Sequence, residues 1–237
     1  MTKQGFGISA FWLKMIAIAA MTVDHIGYLF FPGVSWMRMI GRLTFPIMAF
    51  LIAEGYRHTH DLRRYETRLF VFALISMLPF YLAFGWVGNV GFTLLCGLLA
   101  LDCGARLERA WQKAAVAAAF MVLSLPCDWG FSGVLAIYLF GRIENRRLGA
   151  VCGVAALLLA GVLKDQCLTA VLGPGVYTPM KFEIMCAVLL AIPPLLLYNG
   201  SRGRSMKYWF YIYYPLHLAV LGLIARLSEI VNYFMSF

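Results

Sequence analysis

The sequence predicts an all-α, polytopic transmembrane helix bundle, and three observations support this fold class. Of the 237 residues, 62% are hydrophobic and only 13% are charged, and the mean hydropathy is +0.79, which is outside the range of soluble globular domains. Apolar runs near the length of roughly 18–20 residues that spans a bilayer recur along the whole chain. Basic residues collect in alternate loops. We therefore expect a single integral-membrane domain over residues 1–237.

The first apolar run, residues 11–31, reads "FWLKMIAIAAMTVDHIGYLFF". It is too long for the apolar core of a signal peptide and lacks a cleavage site of small residues, so we expect it to be retained as the first span. Counting onwards gives about nine spans, with a range of roughly eight to ten. The remaining spans are predicted at 36–56, 67–85, 89–105, 113–126, 130–141, 148–163, 180–198 and 208–226.

The loops between these spans alternate in basic content, and the alternation predicts the topology. Because basic loops stay in the cytoplasm, the N-terminus is predicted to be cytoplasmic. This accounts for the excess of 20 Lys and Arg over 11 Asp and Glu, and no nucleic-acid partner is expected. The basic loops are 57–68, 106–113, 142–147 and 199–207; the loops 32–35, 86–88 and 127–129 carry no Lys or Arg, and 164–179 has only Lys164.

The six cysteines lie singly, mostly inside apolar segments, with no CxxC pair and no His/Cys cluster at the spacing of zinc ligands. They are predicted to be small buried hydrophobic residues, and no metal site is expected.

Ionisable side chains within the first span are candidates for function, since such groups are costly in a bilayer. Lys14 and His25 are 11 residues apart, which places them on one helix face at depths that differ by roughly 16 Å. Asp24 is rotated by about 100° from His25 and is poorly placed to orient it. We expect Asp24 to pair with Arg42 first and Arg38 next, and any acid that orients His25 to come from another helix.

The second span carries two further sets of charge. Arg38 and Arg42 lie on one face in its outer third, and Pro46 is expected to kink the helix by leaving the Arg42 carbonyl without a donor. An inner set is predicted at the depth of Lys14: Glu54, Arg57 and His58.

Other polar candidates admit a structural as well as a functional interpretation. The arginines 57, 63, 64 and 68 either face lipid headgroups or bind a polyphosphate.

Asp128 either caps a helix or lines a site. His217 lies beside a helix break expected at Pro215 and is either a hydrogen-bonded core residue or a substrate-side residue. Asp24, His25, Arg38 and Arg42 could also simply form a buried ion network that holds two helices together. The remaining substrate-side candidates are Asn89 and Thr93.

A neutral imidazole at membrane depth suits proton abstraction near neutral pH. The chain has no GxSxG, HExxH or P-loop motif, which removes the commonest serine-hydrolase, zincin and NTPase interpretations. A cationic cytoplasmic mouth with a deeper His fits an anionic cytoplasmic donor that reacts with an acceptor from the other side.

Several blocks of sequence, in order, resemble the TraX family of bacterial membrane proteins, named for the F-pilin N-acetylase. These blocks include "LKMIAIAAMTVDHIGYLFFP", "MIGRLTFPIMAFLIAEGYRHT", "NVGFTLLCGLLAL" and "YYPLHL". The family is similar to wider membrane acyltransferases, which share a basic residue followed by ten others and a His on the first helix. Lys14 and His25 have that spacing.

The resemblance implies a multi-pass acetyltransferase of the bacterial inner membrane that takes the acetyl group from acetyl-CoA. The acceptor would be a pilin N-terminus or an envelope sugar. His25 would be the catalytic base, with Asp24 and Glu54 in the catalytic set. The family's usual acidic residues are replaced here by Met77 and Tyr81. The residues expected to bind the donor are Lys14, Arg42, Arg57, His58, Arg63, Arg64 and Arg68.

Two other functional classes remain open. The polar groups could form the relay of a proton-coupled transporter, or they could be structural pairs in a non-catalytic pilus-assembly factor. Binding of acetyl-CoA distinguishes the acetyltransferase from both.

Overall fold

The computed structural model describes residues 7–85, 88–173, 176, 178–205 and 208–235. Parts of the predicted loops 86–88, 164–179 and 199–207 therefore lie outside the described residues. The described chain is helical, and the single isolated bridge within it joins Ile8 to Tyr198. Its α-helices are α1 (Ala10–Phe30), α2 (Ser35–Gly41), α3 (Thr44–His58), α4 (Leu62–Ile75), α5 (Met77–Phe84), α6 (Val90–Ala105), α7 (Ala110–Leu123), α8 (Gly130–Arg142), α9 (Arg146–Leu172), α10 (Phe182–Cys186), α11 (Ile192–Leu196) and α12 (Trp209–Met235), and a 3₁₀ helix covers Ala187–Ala191.

These helices overlap the nine predicted segments, with different ends for several of them, and the count of nine spans is not confirmed. Four stretches of the described chain are long and apolar enough to cross a bilayer, and the bent pair α4 and α5 makes a fifth if it counts as one span. Helices α6, α7 and α8 have 16, 14 and 13 residues, which gives them lengths of only about 20–24 Å against a hydrocarbon core of about 30 Å. The four stretches are Ala10–Phe30, Ser35–His58, Arg146–Leu172 and Trp209–Met235.

Two prolines behave differently in their helices. Helices α2 and α3 are separated at Arg42 and Leu43, where Pro46 cannot donate to the carbonyl of Arg42. By contrast, α12 continues through Pro215, so the helix break expected there is not observed. The continuity of α12 keeps the residues on either side of Pro215 in one helical register, which matters for the position of His217.

Helix α3 lies at the centre of the bundle, and all its residues from Phe45 to Glu54 are buried. It packs against α1, α6, α8 and α9. Glycines allow other helices to approach closely: a Cβ at Gly222 would clash with the backbone of Ala83 in α5. This packing holds α12 against α5 and α1, so residues from opposite ends of the chain meet in one site.

Candidate active site

Among the cavities formed by the described residues, two lie towards opposite ends of α1. The basic cavity, with a volume of about 450 Å³, is lined by Lys14, Arg68, Arg202 and Arg204 among others. The histidine cavity, with a volume of about 550 Å³, is lined by His25 and by the charged residues Asp24, Arg38, Arg42, Asp128 and Lys164. Lys14 and His25 thus belong to different cavities, although they share a helix.

His25 is paired with a second histidine from the far end of the chain. Its Nδ1 lies 2.8 Å from Nε2 of His217, and the two rings are parallel with centroids 5.1 Å apart. Phe84 packs edge-on against the His25 ring at 5.1 Å. The orienting partner therefore comes from another helix, as predicted, but it is a histidine in α12 and not an acid.

Hydrogen bonding determines which nitrogen of each ring carries the proton. Nδ1 of His217 lies 2.9 Å from the carbonyl oxygen of Tyr213, and a carbonyl can only accept, so this Nδ1 must donate. In neutral His217 the Nε2 atom then accepts, and Nδ1–H of His25 donates to it. The lone pair of His25 is left on Nε2, and the hydrogen bond found for His25 within the described residues uses Nδ1. Because His25 lines the histidine cavity, its neutral imidazole can act there as a base.

Asp24 has different partners from its neighbour His25. Its Oδ1 lies 2.7 Å from Nη1 of Arg38 and 3.6 Å from Nη2 of Arg42. Both predicted pairs are present, but Arg38 is the closer partner, in the reverse of the expected order. The guanidinium groups also lie over aromatic rings, Arg38 over Tyr28 and Arg42 over Trp129. Arg42 therefore belongs to the histidine cavity, away from Lys14 and the other residues expected to bind the donor.

Asp24 fits against α2 only because residue 41 is a glycine. A Cβ at Gly41 would overlap the carboxyl group and the Cβ of Asp24. We expect Gly41→Ala to displace Asp24 and to lower the melting temperature of the protein. The steric cost of about 1–3 kcal/mol should exceed the roughly 1 kcal/mol that Ala gains over Gly in a helix. Thermal unfolding of the detergent-purified protein measures this effect.

Gly33→Ala is the control for this substitution, because no atom lies within 4 Å of a Cβ at that position. Equal melting temperatures for the Gly41 and Gly33 variants would contradict the close packing of Asp24 on α2.

Trp129 and Lys164 contribute features to the histidine cavity that the sequence did not indicate, and the structure also places Asp128, for which the sequence left two roles open. Trp129 has a left-handed backbone, with φ of 63°, and its ring stacks on Phe45 at 4.5 Å. Lys164 was assigned to a loop because the seventh span was predicted to end at residue 163, but α9 continues to Leu172. Asp128 is exposed within the cavity, and the N-cap position of α8 is Trp129.

Two predicted substrate-side residues have structural contacts instead. Asn89 is fully buried, caps α6 through Gly91 and donates to the carbonyl of Ala73 at 2.8 Å. Thr93 is also fully buried and donates to the backbone carbonyl of Asp128 at 2.5 Å. Neither residue lines the histidine cavity.

The basic cavity combines cations from three parts of the chain. Lys14 comes from α1, Arg68 from α4, and Arg202 and Arg204 from the loop before α12. None of the ion pairs found within the described residues involves these four side chains. A cluster of uncompensated cations of this kind favours a polyanionic ligand. The two loop arginines were interpreted from sequence only as topology determinants.

Glu54 and Arg57 form a link between helices beside the basic cavity. Arg57 donates to Glu54 at 2.6 Å and to the carbonyls of Phe140 and Ile143 at 2.5 and 2.8 Å. Arg146 adds a second ion pair to Glu54 at 3.1 Å. Arg57 thus binds other parts of the chain and does not line the cavity, whereas Glu54 does.

The other predicted donor-binding residues divide into two groups. His58 lines the basic cavity, with Nε2 3.8 Å from Glu54. Arg63 and Arg64 are exposed and line neither cavity, and Arg64 pairs with Asp61 at 2.9 Å.

Comparisons with known proteins show the family to which the chain belongs. The chain is 34% identical to the "Probable fimbrial assembly protein FimC, serogroup H1" of Dichelobacter nodosus, over 92% of this chain and 96% of that protein. It is 29% identical to "Protein TraX" of Escherichia coli, over 90% of this chain and 86% of the relative. No solved structure matches. The family profile described as "TraX protein" matches residues 9–225, and the chain is thus a membrane protein of the TraX family.

Proposed function

We propose that this protein is an acetyltransferase that moves an acetyl group from acetyl-CoA, bound in the basic cavity, to an acceptor in the histidine cavity. The observation that carries the proposal is the His25–His217 pair, which leaves an unpaired basic nitrogen of His25 facing a cavity adjacent to a second, cationic one. An anionic carrier and a general base are the two requirements of acyl transfer from a coenzyme A thioester.

The basic cavity supplies groups suited to the nucleotide part of the donor. Lys14, Arg68, Arg202 and Arg204 offer positive charge to its phosphates, and guanidinium groups match phosphate geometry. The rings of Tyr65 and Tyr211 also line this cavity and give an adenine flat surfaces to contact.

In the histidine cavity, Nε2 of His25 accepts a proton from the acceptor amine or hydroxyl as its nitrogen or oxygen attacks the carbonyl carbon of the thioester. The carbon–sulfur bond then breaks, and the proton passes to the departing sulfur, which leaves as the thiol of coenzyme A. Arg42 lines this cavity, and its guanidinium group is a donor for the oxyanion formed during attack.

We place the protein in the bacterial inner membrane, with its N-terminus and basic cavity on the cytoplasmic side, where acetyl-CoA is made. The family name and the fimbrial-assembly name of one relative support an acceptor connected with pili. A pilin N-terminus is the first choice, and an envelope sugar is the second. Deletion of the gene should remove one acetyl group from such a molecule, which mass spectrometry of the envelope fraction detects.

Acetyl-CoA binding to the detergent-purified protein tests the donor site directly. We expect Lys14→Ala and Arg202→Ala each to weaken binding by about 10–100-fold, because a charge-assisted hydrogen bond contributes about 1.5–3 kcal/mol. Binding should also weaken as salt is raised. Equilibrium dialysis with radiolabelled acetyl-CoA gives the dissociation constants.

Arg64→Ala is the matched control, since Arg64 is exposed and lines neither cavity. A wild-type protein that binds no acetyl-CoA would contradict the proposed function and return the choice to a proton-coupled transporter or a non-catalytic pilus-assembly factor.

A further inference from the structure

One layer of side chains separates the two cavities. Met48 of α3, Leu94 of α6 and Phe210 of α12 line both the basic cavity and the histidine cavity. Their exposed fractions are 8%, 1% and 9%, so they are packed together in the core of the bundle. Each cavity therefore ends where the other begins, at an apolar partition contributed by three different helices.

The partition lies between the phosphate-binding charges and the base. Lys14 and His25 differ by roughly 16 Å along α1. The arm of coenzyme A from sulfur to the nearest phosphorus has about 13 bonds, and at three bonds per residue of extended chain it spans roughly 15 Å. A donor with its phosphates beside Lys14 can thus present its thioester to His25 only if the arm crosses the partition.

We propose that Met48, Leu94 and Phe210 form the passage through which the acyl end of the donor reaches His25, and that Leu94 limits the size of the acyl group that passes. This inference rests on the proposed function and specifies how its donor site connects to its acceptor site. In the absence of a donor arm, the packed side chains keep the two cavities separate and leave an apolar constriction that water and ions do not readily cross.

The chemistry of the three side chains suits such a passage. Met48 is unbranched and flexible, so it can change rotamer to make room for a narrow chain. Phe210 is held among other rings, with centroid distances of 5.7 Å to Phe72 and 6.3 Å to Tyr214. Leu94 is almost fully buried on α6. A larger or smaller side chain at this position would therefore narrow or widen the passage.

Leu94→Trp tests whether the arm crosses at this point. We expect acetyl transfer to fall by about 100-fold, as for a displaced reacting group, and this loss to be much larger than any weakening of acetyl-CoA binding, because the cations beside Lys14 still hold its phosphates. Transfer is measured from radiolabelled acetyl-CoA to envelope membranes of a native host strain that lacks the gene. Leu99→Trp is the control, because Leu99 lies on the same helix but lines neither cavity.

Leu94→Ala is a second test of the proposed passage, and it keeps the proposal testable if Leu94→Trp does not fold. We expect the rate with isobutyryl-CoA relative to acetyl-CoA to rise by about tenfold, since a few methylene groups change discrimination by that amount. The same ratio should stay unchanged in Leu99→Ala.

The outcomes separate the passage from the proposed function. If the wild type transfers acetyl groups, an unchanged ratio of the isobutyryl-CoA rate to the acetyl-CoA rate in Leu94→Ala contradicts the proposed passage but not the acetyltransferase activity. Full acetyl transfer by Leu94→Trp contradicts the passage in the same way. If the wild type neither binds acetyl-CoA nor transfers acetyl groups, the proposed function itself fails.

Discussion

The acetyl-transfer rate of the His25→Ala variant is expected to fall by about 10²–10⁴-fold, the usual contribution of a positioned general base. The expectation follows from the proton positions around His25. Its Nδ1–H is held by His217 at 2.8 Å, so Nε2 is the nitrogen that remains free to accept a proton. Alanine offers no acceptor, and the acceptor amine or hydroxyl would have to attack without losing its proton.

The variant should remain folded and should still bind the donor. His25 lines a cavity, so its removal leaves space beside existing space, and Lys14 with the other cations of the basic cavity is untouched. We therefore expect an unchanged dissociation constant for acetyl-CoA with a large loss of turnover. Transfer of radiolabel to envelope membranes and equilibrium dialysis measure the two quantities.

His60→Ala is the control for loss of an imidazole, because His60 is exposed and lines neither cavity. Its transfer rate should equal that of the wild type. Full activity of His25→Ala would exclude His25 as the base and would leave the histidine cavity without its proposed chemistry.

The helical fold could be predicted from sequence because hydropathy is a local property, but helix ends could not. The prediction ended the seventh span at residue 163, near the polar pair Lys164 and Asp165, which resembles the start of a loop. In the structure α9 continues to Leu172, since Asp165 accepts from the backbone nitrogen of Met180 at 2.9 Å and Lys164 reaches the histidine cavity. Tertiary partners for polar residues thus override the local signal.

Local patterns in the sequence predicted only part of the candidate site, because its other contacts join residues that are distant in the chain. Periodicity along α1 separated Asp24 from His25, and the structure gives them different partners. The partner of His25 lies 192 residues away in sequence, a contact that no local pattern specifies. The contribution of Arg202 to the basic cavity was also missed, because a basic loop at a membrane surface is explained equally well by topology.

Replacement of His217 should reveal whether it orients the base. In His217→Leu the Nδ1–H of His25 loses its acceptor, so the His25 ring can rotate or place its proton on Nε2, which then no longer accepts. We expect kcat to fall by about 10–100-fold, as for other partners that orient a functional histidine. The dissociation constant of acetyl-CoA should not change, because His217 does not line the basic cavity.

His217→Gln separates orientation from packing. The amide oxygen of Gln can accept the hydrogen bond from Nδ1 of His25, and kcat should therefore recover to within about threefold of the wild type. Tyr213→Phe is a further control: it removes the hydroxyl that lies 2.7 Å from Thr22 but keeps the backbone carbonyl that holds His217. Its kcat should be close to that of the wild type.

The three variants distinguish the possible roles of His217. If Gln and Leu lower kcat equally, the imidazole acts through its shape, and the hydrogen bond to His25 does not orient the base. If Leu has no effect, the tautomer of His25 is determined by other contacts. If His25 abstracts the proton through Nε2, kcat should recover in His217→Gln but not in His217→Leu. Both His and Gln at position 217 can accept a hydrogen bond from Nδ1–H of His25, whereas Leu cannot.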